Sequence, residues 1–267
     1  MRKSDFQNMT PEQAAAAQRG YSTKAAKLPE LKLGERLFKN STDSWFKGIQ
    51  GKAGQHFEDA ALLEAKLAHR GMADGWHSLE QLRQNRNPND TPAAHINKVV
   101  KATDALVSSV AKRNDRAIAR INDRRAAIQR EITERLGLDT HRPDAAEIRS
   151  VLRAMPDDKR NAAIMQAATN GDAAILSAIW QSESILTGIP GDRLDAIRNM
   201  AVKQHAGDLL ELDAALNDSY DLLQKAFMDS LDLADTAAGG PDAARKFAAD
   251  AEAADLAAAG FQAALNS

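Results

Sequence analysis

Two stretches of the chain, roughly residues 91–136 and 191–238, carry apolar residues at helical spacing. In the first, a stripe about 120° wide holds Ile96, Val99, Val100, Leu106, Val107, Val110, Ile118, Ile121, Ile128, Ile132 and Leu136. In the second, one face at near-heptad spacing holds Leu194, Ala201, His205, Leu209, Leu212, Leu216, Leu223 and Phe227. Each pattern predicts one long helix, and their similar lengths favour an antiparallel, coiled-coil-like pair joined along the apolar faces.

Turn residues divide the rest of this region. Thr91-Pro92 is a typical helix start and Gly137 a typical stop. Pro143, Pro156 and Asn170-Gly171 split residues 143–187 into three short helices, which would form a tip between the long ones. The pattern therefore predicts an all-α fold, with a long helical hairpin over residues 91–238. After the break at Gly239-Gly240-Pro241, the C-terminal region 239–267 is predicted to form an Ala-rich helix, roughly from Asp242 to Leu265.

Residues 1–90 are predicted to form an N-terminal region of shorter elements. Thr10-Pro11 opens a short helix, residues 21–42 read as an irregular arm, and residues 84–92 form a loop. A helix is expected from about Asp43 to Arg70, and Gly48, Gly51 and Gly54 within it indicate either close packing or a break. The residues expected to be buried in this helix are Trp45, Phe46, Ile49, Phe57, Leu62, Leu63 and Leu67.

Composition supports helix packing and excludes some chemistry. Hydrophobic residues make up 43% of the 267 positions but aromatic residues only 4%, so the apolar content suits narrow helix–helix contacts. The absence of cysteine excludes disulfides, thiolate metal sites and cysteine nucleophiles. No run of about 18 apolar residues is present, so no membrane span is expected. The N-terminal residues lack the apolar run of a secretory signal, which favours the cytoplasm.

Charge is distributed unevenly along the chain, and one helix face is basic. Between residues 98 and 130 there are nine Lys or Arg and three Asp, and a stripe on the first long helix consists of Arg113, Arg116, Arg120 and Arg124. Such a stripe can bind nucleic-acid phosphates. Alternatively, it pairs within the hairpin with the acidic residues that an antiparallel arrangement places opposite, namely Asp208, Glu211, Asp213 and Asp218.

No catalytic, cofactor or metal site is predicted. The six histidines form no HExxH motif, and His69 and His77, with Glu64 and Asp74 nearby, come closest to a metal-binding group. No nucleophile elbow, Walker A or dinucleotide-binding loop is present. Five aromatic residues are candidate partner contacts, with a local core as the alternative for the first three: Trp45, Phe46, Phe57, Phe247 and Phe261.

The segment from Asn170 to Leu216 carries a family resemblance. It begins Asn170-Gly171-Asp172, continues as an Ala-rich apolar run to Ile179, turns through Gly188-Ile189-Pro190 and enters a long charged helix. This order resembles helical proteins encoded in the head and assembly gene clusters of tailed bacteriophages. The resemblance implies a non-enzymatic virion component, such as a scaffold, an internal head protein or an ejection component.

That resemblance also implies partners and a location. Such a protein would form a homo-oligomer and contact capsid, portal or ejection proteins, with DNA as a further contact. It would be found in the virion, and in the host cytoplasm during assembly. The alternative is a bacterial cytoplasmic adaptor or nucleic-acid-binding rod that uses the basic helix face.

Overall fold

The computed structural model describes residues 31–139, 141–180, 182, 184–237, 256 and 259–265. Every regular element in these ranges is helical and none is a strand, so the predicted all-α class is confirmed. The first predicted helix, near residues 10–20, lies outside the described residues. So does the C-terminal helix, except for residue 256 and residues 259–265, which are helical.

Eight α-helices follow one another between residues 41 and 237 of the described chain. We number them α1 (Ser41–Lys52), α2 (Ala60–Gln84), α3 (Pro92–Arg135), α4 (Ala145–Ala154), α5 (Asp157–Asn170), α6 (Ala173–Trp180), α7 (Ser184–Thr187) and α8 (Gly191–Ala237). Two single 3₁₀ turns, Glu35–Leu37 and Gly54–His56, precede α1 and α2 respectively. The long helices α3 and α8 agree with the predicted bounds to within one residue at each end.

The prediction of one helix from Asp43 to Arg70 is wrong. The chain leaves the helix after Lys52 and begins a new one at Ala60, which continues to Gln84. Gly54 explains the break, because its φ of +55° is a left-handed conformation that favours glycine. A Cβ atom at Gly54 would also lie 2.7 Å from the Glu211 Oε2 atom, so a larger residue would displace the exposed end of that side chain.

The helices form two compact units. One contains residues up to 39, Gly71–Lys112 and residues from 226 onward, and the other contains Asn40–Arg70 and Arg113–Lys225. Helices α2, α3 and α8 therefore each contribute a segment to both units. This division cuts through helices, whereas the sequence analysis placed its boundaries in the loops at about residues 90 and 238.

The first unit is held by α2 and α3, which run antiparallel. A Cβ atom at Gly75 on α2 would lie 2.4 Å from Leu106 Cδ1 on α3, so the two helices touch closely there. Further along, His95 Nε2 of α3 donates a hydrogen bond to the Arg83 carbonyl of α2, at 3.2 Å. The core of this unit includes the fully buried side chains of Leu37, Met72, Trp76 and Val99.

The second unit contains the central seam between α3 and α8. The fully buried side chains at this seam are Ile121 and Ile128 of α3 with Leu209, Leu212 and Leu216 of α8. Arg135 pairs with Asp208 and Arg125 pairs with Asp213, so residue numbers fall along α3 as they rise along α8. Within this unit the two helices are therefore antiparallel, and the predicted seam residues are buried or half-buried.

Helix α8 is not regular throughout. Ala206 is buried and has non-helical backbone angles, with φ −143° and ψ 32°, so the helix is kinked at this point. Gly207 follows, and kinks at positions rich in small residues are common. His205 donates a hydrogen bond from Nε2 to the Ala168 carbonyl of α5, at 3.0 Å, as expected for a structural histidine on the apolar face.

The region between the long helices contains four short helices, where three were predicted. Arginines satisfy carbonyl groups that the C-terminus of α6 leaves open: Arg149 donates to Ala178 and Arg198 donates to Ile179. Arg198 also donates to the carbonyl of Ser182, two residues beyond the helix. The predicted Gly/Pro turn before α8 is present, and Gly188 has a φ of +68°. Its Cβ position would lie 3.3 Å from Arg160 Nη1, so the turn packs closely against α5.

Two adjacent leucines on α8 test the seam. Leu209 is fully buried and Leu210 is 39% exposed, so the same substitution at each compares core with surface. Leu209→Ala should lower the free energy of unfolding by about 2–5 kcal/mol, because it leaves a cavity. Leu210→Ala should change it by less than about 1 kcal/mol. Urea unfolding followed by circular dichroism measures both, and equal effects would contradict the seam.

Candidate interaction surfaces

The basic stripe lies on α3 in the second unit, and it pairs with different acidic residues from those predicted. Arg116 Nε donates to Glu64 Oε1 of α2, at 2.7 Å. Arg124 donates to Asp59, immediately before α2, at 2.7 Å, and to Glu131 two turns further along its own helix face. Burial acts to lower the pKa of Arg124, but its hydrogen bonds to Glu131 and Asp59 outweigh burial and raise the pKa.

The prediction that this stripe pairs with the acidic residues of α8 is therefore wrong for Arg116 and Arg124. The α8 acids take other partners: Asp208 pairs with Arg135, Asp213 with Arg125 and Asp218 with Lys52. The reason is rotational, because successive residues on a helix lie about 100° apart. Arg125 points along the seam toward α8, and the neighbouring Arg124 points toward the α2 side.

Two members of the stripe keep their charge facing solvent. Arg113 and Arg120 are exposed, and neither forms an ion pair with a residue that the structure describes. The Arg116 side chain is 73% exposed despite its contact with Glu64. An open groove here is lined by Glu64, Arg116, Ala119, Arg120 and Asp123, so acidic groups stand among the cations. The surface is mixed in charge, with its free cations at Arg113 and Arg120.

Asp208 joins three elements of the second unit. Its carboxylate accepts hydrogen bonds from Arg135 of α3 and, at 2.9 Å each, from Gln55 and His56 of the 3₁₀ turn. The hydrogen bond from Arg135, helped by those from His56 and Gln55, holds the pKa of Asp208 well below its usual range. The sequence did not reveal this cluster, because Gln55 and Asp208 are 153 residues apart.

The three N-terminal aromatic candidates have different environments. Phe46 is fully buried and packs edge-to-face on His69, with ring centroids 6.0 Å apart. Phe46 is therefore a core residue, which confirms its predicted burial, and its alternative assignment as a partner contact is wrong. Trp45 and Phe57 are exposed, so the expectation that they are buried is wrong. Of the two C-terminal candidates, Phe261 is exposed in the helical stretch 259–265, and Phe247 lies outside the described residues.

A second surface, which the sequence analysis missed, surrounds Phe57. A groove of about 510 Å³ between α1 and α2 is lined by Asp43, Lys47, Gln50, Gly51, Gly54, Phe57 and Lys66. On α2, Leu63 and Leu67 are exposed, Leu67 by 60%. They lie about 60° and about 100° around the helix from Lys66, respectively. We define the α1–α2 face as Asp43, Lys47, Phe57, Leu63, Lys66, Leu67 and Arg70.

Leu63 and Leu67 were expected in the core, and this expectation is wrong. The buried side of α2 is marked by Leu62, Ala65, His69, Met72 and Trp76. At about 100° per residue, Leu67 falls nearly opposite that side. The periodic spacing of these buried residues is present in the sequence. It can be recognised only when α2 is extended to Gln84 and the spacing is followed over about six turns.

Contacts around His69 hold α1 against α2 and so shape this face. Thr42 and the His69 Nδ1 atom are hydrogen-bonded at 2.9 Å. Asp43 accepts from Lys66 at 3.1 Å and from Arg70 at 2.8 Å. These contacts, the hydrogen bond from Lys66 above all, lower the pKa of Asp43. Burial lowers the pKa of His69 to about 4, so this ring is neutral at pH 7.

Within the described ranges, no cluster of three or more His, Asp or Glu side chains is arranged to hold a metal ion. Among the helices described, none combines the length and apolarity required to cross a bilayer. Comparison of the chain with known protein families, with curated proteins and with solved structures finds no match.

The buried histidine predicts how stability depends on pH. The pKa of His69 is about 4 in the folded protein against 6.5 for an ordinary histidine, so the unfolded chain binds more protons between these values. The free energy of unfolding should fall as pH drops from about 6.5 to about 4, by up to about 3 kcal/mol. Urea unfolding should show this slope, and His69→Asn should remove most of it. An unchanged slope in the variant would contradict the assignment.

Proposed function

We propose that this protein is a non-enzymatic structural or assembly component of a tailed-phage virion, such as a scaffold, an internal head protein or an ejection component. It acts through helix-mediated contacts with further copies of itself and with capsid, portal or ejection proteins. It would be located in the virion, and in the host cytoplasm during assembly. The resemblance of residues 170–216 to helical head and assembly proteins of these phages supports the virion context.

The observation that carries the proposal is the apolar surface of the second unit. Trp45, Phe57, Leu63 and Leu67 are all exposed, and they fall within 23 positions of the chain. Large apolar side chains grouped on a surface are typical of protein contact sites. Trp45 and Lys52 are seven residues apart, so they lie on the same side of α1, away from the groove beside Phe57. The surface therefore offers contacts in two directions, as an assembly component requires.

Rigid support of these side chains favours the same function. Lys66 and Arg70 of α2 hold Asp43 of α1, and Lys52 of α1 holds Asp218 of α8. Helix α1 is thus fixed on both sides within the second unit. A contact surface on fixed helices loses little conformational entropy when a partner binds.

Sedimentation tests the proposal directly. The protein should form an oligomer in dilute buffer, or should co-sediment with the capsid or portal protein encoded in the same gene cluster. Trp45→Ser combined with Phe57→Ser should weaken the association, because both side chains are exposed and neither supports the core. Leu210→Ser, an exposed leucine on α8, is the matched control. A protein that stays monomeric and ignores both virion proteins would refute the proposal.

A second candidate is a nucleic-acid-binding function of the basic stripe, which Arg113 and Arg120 favour because they are exposed and outside any described ion pair. Arg113→Glu with Arg120→Glu should abolish salt-sensitive DNA binding and leave thermal stability unchanged. Arg116→Glu with Arg124→Glu should instead destabilise the protein, since it breaks the contacts with Glu64, Asp59 and Glu131. Fluorescence anisotropy over a salt series and thermal melting measure the two effects. If the wild-type protein binds no DNA at low salt, this candidate is rejected.

A further inference from the structure

We propose that the α1–α2 face is the docking site for the acidic C-terminal segment of a second copy of this chain, residues 247–267 with the helical stretch 259–265. The inference rests on the proposed assembly function and names the contact by which copies join. It is carried by three features: exposed apolar residues on both surfaces, opposite charge, and one open glycine, Gly51, on the groove side of α1.

Both surfaces expose apolar side chains. The α1–α2 face offers Phe57 in the groove lining, and Leu63 and Leu67 are exposed further around α2. In residues 259–265, Phe261 and Leu265 are each 65% exposed, and they lie four positions apart, on one side of the helix. An amphipathic helix that places such residues into a groove between two helices is a common mode of protein recognition.

The charge of the α1–α2 face is opposite to that of residues 247–267, which favours this segment over a helix of arbitrary charge. The face carries Lys47, Lys66 and Arg70 against Asp43, and the balance stays positive when the adjacent Glu58 is included. From Phe247 to Ser267 the chain carries Asp250, Glu252 and Asp255 and no Lys or Arg. Complementary charge of this kind steers association and disfavours like-charged alternatives.

The glycines of α1 have no packing role within the described chain. A Cβ atom at Gly48 or Gly51 would meet no atom within 4 Å, and both residues are exposed. Glycine inside a helix costs roughly 1 kcal/mol relative to alanine. Gly51 lines the groove, so a bare backbone there lets another helix approach closely. Residues 259–265 contain Gly260 and three alanines, and these small residues allow such a close approach.

Two substitutions in α1 give a matched test. Gly51→Trp fills the groove, whereas Gly48→Trp places the same side chain about 60° around the same helix, at a residue that does not line the groove. Both sites are open, so both variants should retain the wild-type melting temperature. In sedimentation equilibrium, Gly51→Trp should weaken self-association at least about tenfold, a loss typical of blocking a central contact. Gly48→Trp should leave it unchanged.

Cross-linking identifies the segment that occupies the groove, and the absence of native cysteine makes it unambiguous. Ser44→Cys, one turn from the groove, is mixed with Gln262→Cys carried on a size-tagged copy, and a short bis-maleimide is added. A mixed dimer should form, and Gly51→Trp should prevent it. Ser108→Cys, another exposed serine, replaces Ser44→Cys as the control and should give little mixed dimer.

The outcomes separate this inference from the proposed function. Self-association without the Ser44–Gln262 cross-link, or a cross-link that survives Gly51→Trp, would overturn the docking site and leave the assembly function standing. A protein that remains monomeric and binds neither capsid nor portal protein would overturn both.

Discussion

The apolar seam between α3 and α8 in the second unit is the interaction on which the other features depend. Full burial of one Leu or Ile side chain contributes about 1.5–3 kcal/mol, and Ile121, Ile128, Leu209, Leu212 and Leu216 are all fully buried. An exposed ion pair contributes at most about 1 kcal/mol. The seam therefore sets the rotation and register of the helices. Each charged side chain then pairs with the opposite charge that this register places beside it.

The rotation of α3 decides the role of each arginine. With Ile121 and Ile128 buried, Arg125 faces Asp213, Arg124 faces Asp59, and Arg120 faces solvent. Residues that look alike in the sequence thus become a seam contact, a link to α2 and a free cation. The same logic applies to α2, where burial of His69 and Trp76 leaves Leu67 outside. Exposed groups available to partners are a consequence of how the core is packed.

Long-range periodicity made the long helices predictable. A stripe sustained over many turns identifies helix type and burial with little ambiguity, and it located α3 and α8 and their seam. The break between Lys52 and Ala60 was harder to predict, because it depends on one left-handed glycine, Gly54. The kink at Ala206 has only a weak local signal, the Gly207 that follows it.

The interaction surfaces were only partly predictable. The basic stripe, Trp45, Phe57 and Phe261 could be found as residues, but their partners could not, because pairing depends on rotations of tens of degrees between helices. Phe46 was expected both in the core and as a partner contact and lies in the core, whereas Leu67 was expected in the core and lies on the surface. The α1–α2 groove required three-dimensional structure, since its lining comes from two helices and the turn between them.

Charge reversal across the seam is the most direct measurement of the central claim, the antiparallel register of α3 and α8. Arg125 Nε lies 2.9 Å from Asp213 Oδ1. Arg125→Asp and Asp213→Arg should each lower the free energy of unfolding, because each places two like charges together. The two substitutions combined should restore most of the loss, giving a favourable coupling of about 0.5–3 kcal/mol in a double-mutant cycle. Strictly additive losses in the free energy of unfolding would contradict this antiparallel register.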